Sequence, residues 1–278
     1  IMSKIIGHED NINAIRALIK KHKKNDRIFS YIGLFVIGSL AIALLVLFLD
    51  LVIDGYPKMN LEFFSNFPSR KPEGAGILSA WVGSALVLIV TFFVAVPMGV
   101  ASGIYLEEYA KKGWFADLIE INVANLAGVP SIIYGLLALG LFVYEFGLGQ
   151  SILTAGLTLS LLMLPIVIVA TREAIRAIPV HIREAAYAVG ATKWQVTLHH
   201  VLQYAMGGVL TGIIIGMARA IGETAPVITI GALTFIAFLP PTPVTDVAPF
   251  INFAWLEAGF TVLPIQMFNW ISRPEHAF

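Results

Sequence analysis

The chain has 278 residues, of which 58% are apolar and only 13% are charged, and its formal net charge is zero. Because soluble domains carry about 25% charged residues, this composition excludes an ordinary soluble protein and predicts a polytopic membrane protein. Lysine and arginine cluster beside apolar stretches instead of forming one basic face, so no nucleic-acid partner is expected. The sequence contains no cysteine, which excludes disulfides and thiolate metal sites.

The first predicted span follows a polar and basic N-terminal segment, residues 1–27. Ile28–Leu49 contains 22 residues without a charge. As a helix this stretch would be about 33 Å long, which is enough to cross a bilayer. It is too long for the core of a signal peptide, so we expect it to remain as an uncleaved span. The chain therefore divides into the segment 1–27 and a transmembrane domain, residues 28–278.

Four further apolar stretches predict an all-α bundle of transmembrane helices with five spans in this chain. They are Ile77–Leu106, Ile121–Tyr144 with an interruption at Gly128–Ser131, Ser151–Ala170, and Gly207–Phe238. The final stretch, Phe260–Phe278, looks like the lead-in to another helix. A sixth span is therefore expected after residue 278, unless this stretch is a disordered tail.

The distribution of lysine and arginine predicts the orientation of the spans. Residues 1–27, 107–117 and 171–206 together hold 13 of them, whereas the loops on the opposite side hold four. By the positive-inside rule, the N-terminus and residues 171–206 lie in the cytoplasm. We expect Glu107 and Glu108, in the short cytoplasmic loop, to be solvated charges.

Residues 179–203, which we call the elbow, form a short amphipathic passage between long apolar stretches. Pro179 suits the first turn of a helix, and Gly190 can take the left-handed conformation that ends this helix. Thr192 and Gln195 have the spacing of a capping box, so a second helix can begin almost at once. The sequence therefore predicts two helices joined by a tight corner.

The surface of the elbow favours contact with another protein. Ala185 and Ala186 have short side chains, so the surface of another protein can approach this face of the first helix closely. Glu184 can bond either its own helix start or a basic group on a partner, and we favour the second. The alternative is a cytoplasmic loop that only connects two spans, because short motifs of this kind also arise without function.

The fifth predicted span, Gly207–Phe238, contains two ionisable side chains, Arg219 and Glu223. They are four residues apart, so they share a helix face and can pair. A charge at mid-membrane costs about 2.5–3.5 kcal/mol on insertion scales, and such a residue commonly marks a transport pathway. The planar fork of arginine can bond two oxygens of a tetrahedral oxyanion. Glu223 would hold that fork when no anion is present, and Thr224 would add a neutral donor. The alternative is a structural ion pair between helices.

Prolines and glycines predict the local shape of these spans. Pro226 is expected to bend the fifth span. Ser131 and Tyr134 lie beside Pro130, where freed backbone groups can line a cavity, so we include both in the predicted pathway. A simple packed kink is the alternative for these two residues. A stripe of small residues predicts a close helix contact, with no role beyond packing, at Gly208, Gly212 and Gly216.

The elbow resembles the EAA loop of ABC importer permeases, and the matching residues are Glu184, Ala185, Ala186, Gly190 and Leu202. The family pattern usually has isoleucine at the position of His200 and proline at the position of Gln203. The resemblance implies the type I ABC importer permease fold. It also implies that these matching residues, with Thr192, couple the chain to a cytoplasmic ATPase.

Four other stretches resemble the PstA family, the permease subunits of phosphate importers. They are ARAIGETAP (218–226), FFSNFPSRKPEGAGI (63–77), AGVPSIIYGLLALG (127–140) and VLPIQMFNWISRP (262–274). This resemblance implies a heterodimer with a PstC-like permease subunit, a PstB-like ATPase dimer and a PstS-like periplasmic phosphate-binding protein. It also implies a multi-pass protein of the bacterial cytoplasmic membrane that moves phosphate inward.

No chemistry is assigned to the chain itself. It has no G-x-x-x-x-G-K-[ST] sequence, so ATP and Mg²⁺ would be bound by the partner ATPase, and this chain needs no cofactor of its own. His199 and His200 are adjacent and point in different directions on a helix, so no metal site is predicted. No catalytic residue is assigned either.

Two other functions remain open at this point. The first is a type I permease for another oxyanion, such as sulfate or molybdate. The second is a secondary transporter, or a membrane scaffold, that works without an ATPase.

Overall fold

A computed structural model describes residues 2–111, 113–233, 235–244, 250 and 252–273, and only the backbone of residues 2–21, 72 and 115. This part of the chain is helical and contains no β-strand, which confirms the all-α prediction. Lys112, counted for the orientation, and residues 274–278 of the expected lead-in helix lie outside the described residues. The chain divides into two compact units, residues 1–60 and residues 61–278.

The first unit consists of one long helix, α1 (Met2–Gly55), followed by a 3₁₀ turn at Tyr56–Lys58. The apolar part of this helix is long enough to cross a membrane, over His22–Lys58. The first predicted span, Ile28–Leu49, lies inside it. The helix forms there because a long uncharged run satisfies all its backbone hydrogen bonds internally, as a lipid environment requires.

The second unit contains ten further α-helices in the part of the chain that the structure describes. They are α2 (Leu61–Ser65), α3 (Leu78–Ile104), α4 (Trp114–Leu126), α5 (Ser131–Ala138), α6 (Ile152–Arg176), α7 (Val180–Ala188), α8 (Lys193–Val196), α9 (Leu202–Gly222), α10 (Ala225–Thr229) and α11 (Leu263–Ile271). π-Helical turns continue three of these helices, at Tyr105–Tyr109 after α3, Leu139–Glu145 after α5 and Thr197–Val201 after α8. 3₁₀ turns lie at Pro72–Gly74 and Ala254–Glu257.

Helix α6 lies at the centre of the second unit, where it packs against both α3 and α9. In the most apolar 18-residue stretch of α6, 61% of the residues are buried, whereas 33% are buried in the corresponding stretches of the spans that contain α3 and α9. The main apolar core joins α3, α5, α6 and α10 with residues 255–265. A second apolar cluster lies at the elbow and contains Ile175, Ile178, Ala186, Val196, Val201, Ala205 and Val209.

The third predicted span is bent instead of straight. Helices α4 and α5 meet at an angle of 103°, at the interruption that the sequence places at Gly128–Ser131. The bend follows from Pro130, which caps α5 and lacks the N–H that a continuous helix would need. The chain therefore has four long spans among its described residues, and a fifth if this bent pair counts as one.

The predicted bounds of the fifth span, Gly207–Phe238, were wrong at both ends. The span begins at Lys193 and ends at Gly222. It begins early because the second helix of the elbow continues directly into α9. It ends early because Glu223 takes an extended conformation, with φ −78° and ψ 118°. Pro226 therefore lies in the first turn of a new helix, α10, and does not bend the old one.

The small-residue stripe on α9 makes the helix contact that the sequence predicted. A Cβ atom added at Gly208 would lie 2.6 Å from the Cβ of Ala174 on α6, and one added at Gly216 would lie 3.0 Å from Cγ of Met163. At Gly212 an added Cβ would overlap Ala170. The backbones of α6 and α9 therefore approach closely only because these positions lack side chains.

We expect Gly212→Ala to lower the stability of the purified chain in detergent, measured as its thermal unfolding midpoint. The added methyl group overlaps Ala170 and forces α9 away from α6, a type of overpacking that costs about 1–3 kcal/mol. Gly207→Ala on the same helix is the matched control, because no atom lies within 4 Å of a Cβ added at Gly207. Equal midpoints for the two variants would contradict the close contact between α6 and α9.

Candidate functional site

The elbow has the tight corner that the sequence predicted. Gly190 has φ +87°, in the left-handed region that favours glycine. Its N–H donates to the carbonyl of Tyr187 (2.9 Å), and the N–H of Ala191 donates to the carbonyl of Ala186 (3.2 Å), which closes the end of α7. Pro179 is the residue before α7 and not part of its first turn.

The capping box that starts the second helix of the elbow is also present. The N–H of Gln195 donates to Oγ1 of Thr192 (3.4 Å), and the N–H of Thr192 donates to Oε1 of Gln195 (2.8 Å). The helix that begins here runs through the π-helical turn into α9, whose first residue is Leu202. The elbow is therefore the direct start of the fifth span.

The elbow divides its side chains between a buried face and an exposed face. Ala186 is buried in the apolar cluster at the elbow, whereas Glu184 and Ala185 are exposed. Within the described residues, Glu184 makes no hydrogen bond, so it does not cap its own helix. Large apolar side chains are also exposed on the elbow, at Val180, Tyr187, Val189 and Trp194. An exposed carboxylate among apolar side chains is suited to protein contact.

Arg219 and Glu223 form the ion pair that their spacing predicted. Nε of Arg219 donates to Oε1 of Glu223 at 3.2 Å. Arg219 lies in the last turn of α9, where the helix dipole favours a cation, and Glu223 ends the helix. The side chain of Arg219 is 43% exposed and that of Glu223 is 16% exposed. The guanidinium therefore keeps donors that a further anion can reach. Thr224, the next residue, is half-buried.

Helix α5, which carries the other two predicted pathway residues, packs against α10, the helix that begins two residues after Glu223. Tyr134 is buried, and its hydroxyl donates to the carbonyl of Leu126 (2.7 Å) across the bend between α4 and α5. Gly135 places α5 directly against Pro226 of α10. Ser131 begins α5 and is half-buried, and no contact links it to the pair in the described part of the chain.

A narrow hollow opens beside Glu223 within the bundle. Its lining is apolar apart from two residues, Ser84 and Glu223, and includes Val87, Leu159, Ala220, Val227 and Val262. Oγ of Ser84 accepts a hydrogen bond from the N–H of Leu263 (2.9 Å). The acidic partner of Arg219 therefore lies next to open space instead of being fully packed.

The elbow and the charged pair lie at opposite ends of one helical span. This span, Lys193–Gly222, has 30 residues. At the rise of an α-helix its ends are about 45 Å apart. The two parts of the site are therefore not in contact, but they are joined by a single continuous helix.

Sequence reasoning missed a network of charges at the end of α6, and the expectation that Glu107 and Glu108 are solvated was wrong. Arginines on α6 and α7 pair with carboxylates on α4 and on the π-helical turn after α3, and one of them also pairs with a carboxylate on α6 itself. The pairs are Arg172 with Glu120 (2.8 Å) and Glu107 (3.6 Å), Arg176 with Glu107 (3.1 Å) and Glu173 (3.1 Å), and Arg183 with Glu108 (2.8 Å).

The physical reason for this difference is the length of the helices. The π-helical turn Tyr105–Tyr109 continues α3 past its predicted end at Leu106 and carries both carboxylates to α6. Helix α6 in turn runs to Arg176, beyond its predicted end at Ala170. The only signal in the sequence is the complementary charge of residues 107–117 and 171–206, which does not say which residues pair.

Comparison with known proteins identifies the family. A family model described as "binding-protein-dependent transport system inner membrane component" matches residues 73–265. The phosphate transport system permease protein PstA of Haemophilus influenzae is 31% identical over 267 residues, which is 91% of this chain and 93% of that protein. The protein of the same name from Yersinia pestis is 32% identical over 240 residues, 80% of each chain.

A mycobacterial relative matches this chain over a smaller part of its own length. The phosphate transport system permease protein PstA of Mycobacterium leprae is 34% identical over 202 residues, which is 73% of this chain but 62% of that protein. The chain thus spans less than two thirds of this relative. The matched residues 73–265 include the elbow, the charged pair and the network of charges. The chain therefore belongs to the family of binding-protein-dependent transport system inner membrane components, among which its relatives are PstA permeases.

Proposed function

We propose that this chain is the membrane-spanning permease subunit of an ATP-driven phosphate importer, in which it forms part of the pathway and couples that pathway to a cytoplasmic ATPase. The observation that carries the proposal is the single span Lys193–Gly222, with an exposed elbow at one end and an accessible arginine at the other. The names of the relatives, which are phosphate transport permeases, support phosphate over sulfate or molybdate.

The elbow is the coupling surface in this proposal. The small side chain of Ala185, the exposed carboxylate of Glu184 and the exposed Tyr187 form the surface that would enter the groove of an ATPase subunit. The corner at Gly190 and the capping box at Thr192 hold this surface in one conformation. A rigid surface transmits a displacement, whereas a flexible loop would absorb it.

The charged pair is the anion-handling part of the pathway. Glu223 occupies one side of the Arg219 fork, and a tetrahedral phosphate can compete for the same donors, because the fork can bond two oxygens at once. The carboxylate of Glu223 also repels a bound anion, so phosphate can dissociate from Arg219 instead of remaining bound. Thr224 directly follows Glu223 and adds a neutral hydroxyl, and Tyr134 lies on α5, the helix that packs against α10. Ser131 remains a candidate pathway residue on sequence alone.

The partners and location follow from the same proposal. A PstC-like permease subunit completes the pathway, a PstB-like ATPase dimer binds ATP and Mg²⁺, and a PstS-like protein delivers phosphate from the periplasm. The N-terminus and the elbow face the cytoplasm of a bacterial cell, as the positive-inside rule indicates. ATP binding closes the ATPase dimer, moves the elbow and rocks the spans between inward-facing and outward-facing arrangements.

Uptake of labelled phosphate into membrane vesicles that contain this chain and its co-expressed partners tests the proposal. We expect uptake that requires ATP and that persists in excess unlabelled sulfate, because the site is proposed to select phosphate. Vesicles that lack only this chain are the control. Uptake without ATP would point to a secondary transporter, and inhibition by sulfate would point to a permease for another oxyanion; either result would overturn the proposal.

A further inference from the structure

Arg183 on α7 donates four hydrogen bonds on the buried side of the elbow. Its Nε and Nη2 donate to Oε1 of Glu108 at 3.0 and 2.8 Å. Its Nη1 donates to the carbonyl of Ile178 at 2.9 Å, and Nη2 also donates to the carbonyl of Ile175 at 3.0 Å. The side chains of Arg183 and Glu108 are 18% and 8% exposed. We call this set of contacts the Arg183 clasp.

The clasp faces away from the proposed docking surface. Glu184, the next residue, is exposed, whereas Arg183 is directed into the fold. A contact with an ATPase would therefore use Glu184 and its exposed neighbours and would leave the guanidinium of Arg183 in place. The two adjacent charges on α7 thus have different positions and can be tested separately.

The clasp joins the elbow to α6, which directly precedes it, and to the π-helical turn after α3, whose Glu108 lies 75 residues away in the chain. Ile175 lies in the last turn of α6 and Ile178 follows the helix by two residues, where the helix dipole favours a cation and the terminal carbonyls accept hydrogen bonds from outside the helix. Glu108 lies on the π-helical turn that continues α3. Through one side chain, the elbow is therefore bonded to the ends of both α3 and α6, and α6 packs against α3 and α9 along the membrane.

Apart from Lys193, whose ammonium group lies 4.9 Å from the ring centre of Tyr109, the other contacts of the elbow are of a different kind. Ala186, Val196 and Val201 hold the elbow against the bundle through apolar packing. Apolar contact is non-directional, so packed surfaces can slide, whereas hydrogen bonds fix both distance and angle. The neighbouring pairs of Arg172 and Arg176 with Glu107 and Glu120 extend the directional contacts to α4.

We propose that the Arg183 clasp is the positioning contact that transmits displacement of the elbow to α3 and α6. This inference rests on the proposed function, because it concerns how ATPase closure reaches the transport pathway. Without the clasp, the elbow still docks and the ATPase still closes, and α9, which continues from the elbow, still moves, but the elbow slides over its apolar contacts instead of moving α3 and α6 with it. The clasp therefore determines how much transport accompanies each ATP hydrolysed.

The test uses the complete complex with its co-expressed partners and measures both ATP hydrolysis and phosphate uptake. In the double variant Glu108→Met/Arg183→Met both charges are removed together, so no buried charge is left without a partner. We expect the phosphate taken up per ATP hydrolysed to fall by about tenfold or more, which lies within the usual range of coupling between sites. ATP hydrolysis itself should remain close to that of the unmodified complex, because the exposed face of the elbow is unchanged.

Two further variants separate positioning from simple charge balance. Arg183→Lys keeps a cation at the end of α6 but cannot reproduce the forked contact, so we expect an intermediate ratio of uptake to hydrolysis. Glu173→Gln is the matched control, since Glu173 forms an exposed ion pair with Arg176 beside the clasp, and its ratio should be unchanged. A normal ratio in the double variant would overturn the proposal. Loss of ATP hydrolysis together with uptake would overturn it too, because the clasp would then support docking.

A measurement without substrate keeps the inference separate from the proposed function. The chain has no cysteine, so Ala101→Cys on α3 and Ala188→Cys on α7 introduce two unique sites for spin labels, and both positions are exposed. We expect a narrow distribution of distances between the labels in the otherwise unmodified complex and a broad one in the double variant. Equal widths would overturn the role of the clasp, whatever the transported substrate is. Failure of phosphate uptake in the unmodified complex would instead count against the proposed function alone.

Discussion

Replacement of Gly190 by proline is expected to abolish ATP-driven phosphate uptake. Gly190 has φ +87°, whereas proline fixes φ near −65°, and proline would also remove the N–H that donates to the carbonyl of Tyr187. A proline in an incompatible position costs about 3 kcal/mol or more. Such a cost lowers the population of the native corner by about two orders of magnitude. The measurement is uptake in vesicles that contain equal amounts of the assembled complex.

Two other substitutions at Gly190 serve as matched controls for its conformation. Asparagine tolerates the left-handed region, so Gly190→Asn should retain most of the uptake. Alanine costs about 1–2 kcal/mol in this conformation, so Gly190→Ala should be intermediate. No atom lies within 4 Å of a Cβ added at Gly190, so crowding would not explain the order of the three variants. Normal uptake by the proline variant would contradict the coupling role of the elbow.

Replacement of Arg219 by alanine is expected to reduce phosphate uptake by about tenfold or more. The substitution removes the charged donors of the pathway, and hydrogen bonds to charged groups are worth about 1.5–3 kcal/mol. Arg219→Lys should lose less, because it keeps the charge but not the fork that bonds two oxygens. Arg27→Ala is the control for a loss of positive charge in general, since Arg27 is exposed at the start of the first span. The measurement is the initial rate of ATP-dependent uptake.

A variant of the acidic partner separates transport from structure. In Glu223→Gln the fork of Arg219 loses its resident anion, so a transported phosphate should be held more tightly. We expect a lower KM for phosphate together with a lower maximal rate of uptake. A purely structural ion pair would lower the stability of the complex in both Arg219→Ala and Glu223→Gln and leave KM unchanged. That result would remove the pair from the transport pathway.

Features that depend on neighbours in the chain were correctly predicted from the sequence. The corner at Gly190, the capping box of Thr192 with Gln195, and the pairing of Arg219 with Glu223 each involve residues at most five positions apart. The conformational freedom of glycine and the spacing of a helix determine such features wherever the segment lies. Membrane spans are predictable for a similar reason, because a long uncharged run has few alternatives to a helix.

Features that depend on the packing of distant helices were decided only by the tertiary structure. Glu107 and Glu108 were predicted to be solvated because their partners, Arg176 and Arg183, lie about 70 residues away in the chain. These residues come close only when α3 and α6 pack together. The end of the fifth span at Gly222 was missed because an apolar sequence can continue a helix or leave it, and the contact of α10 with α5 decides between them. The sequence by itself thus determined the local shape of the elbow and of the charged pair. Only the tertiary structure decided that one span joins the elbow to the charged pair and that Arg183 bonds the elbow to the bundle. The physical reason is that hydrophobicity determines which segments enter the membrane but not which of their polar ends meet.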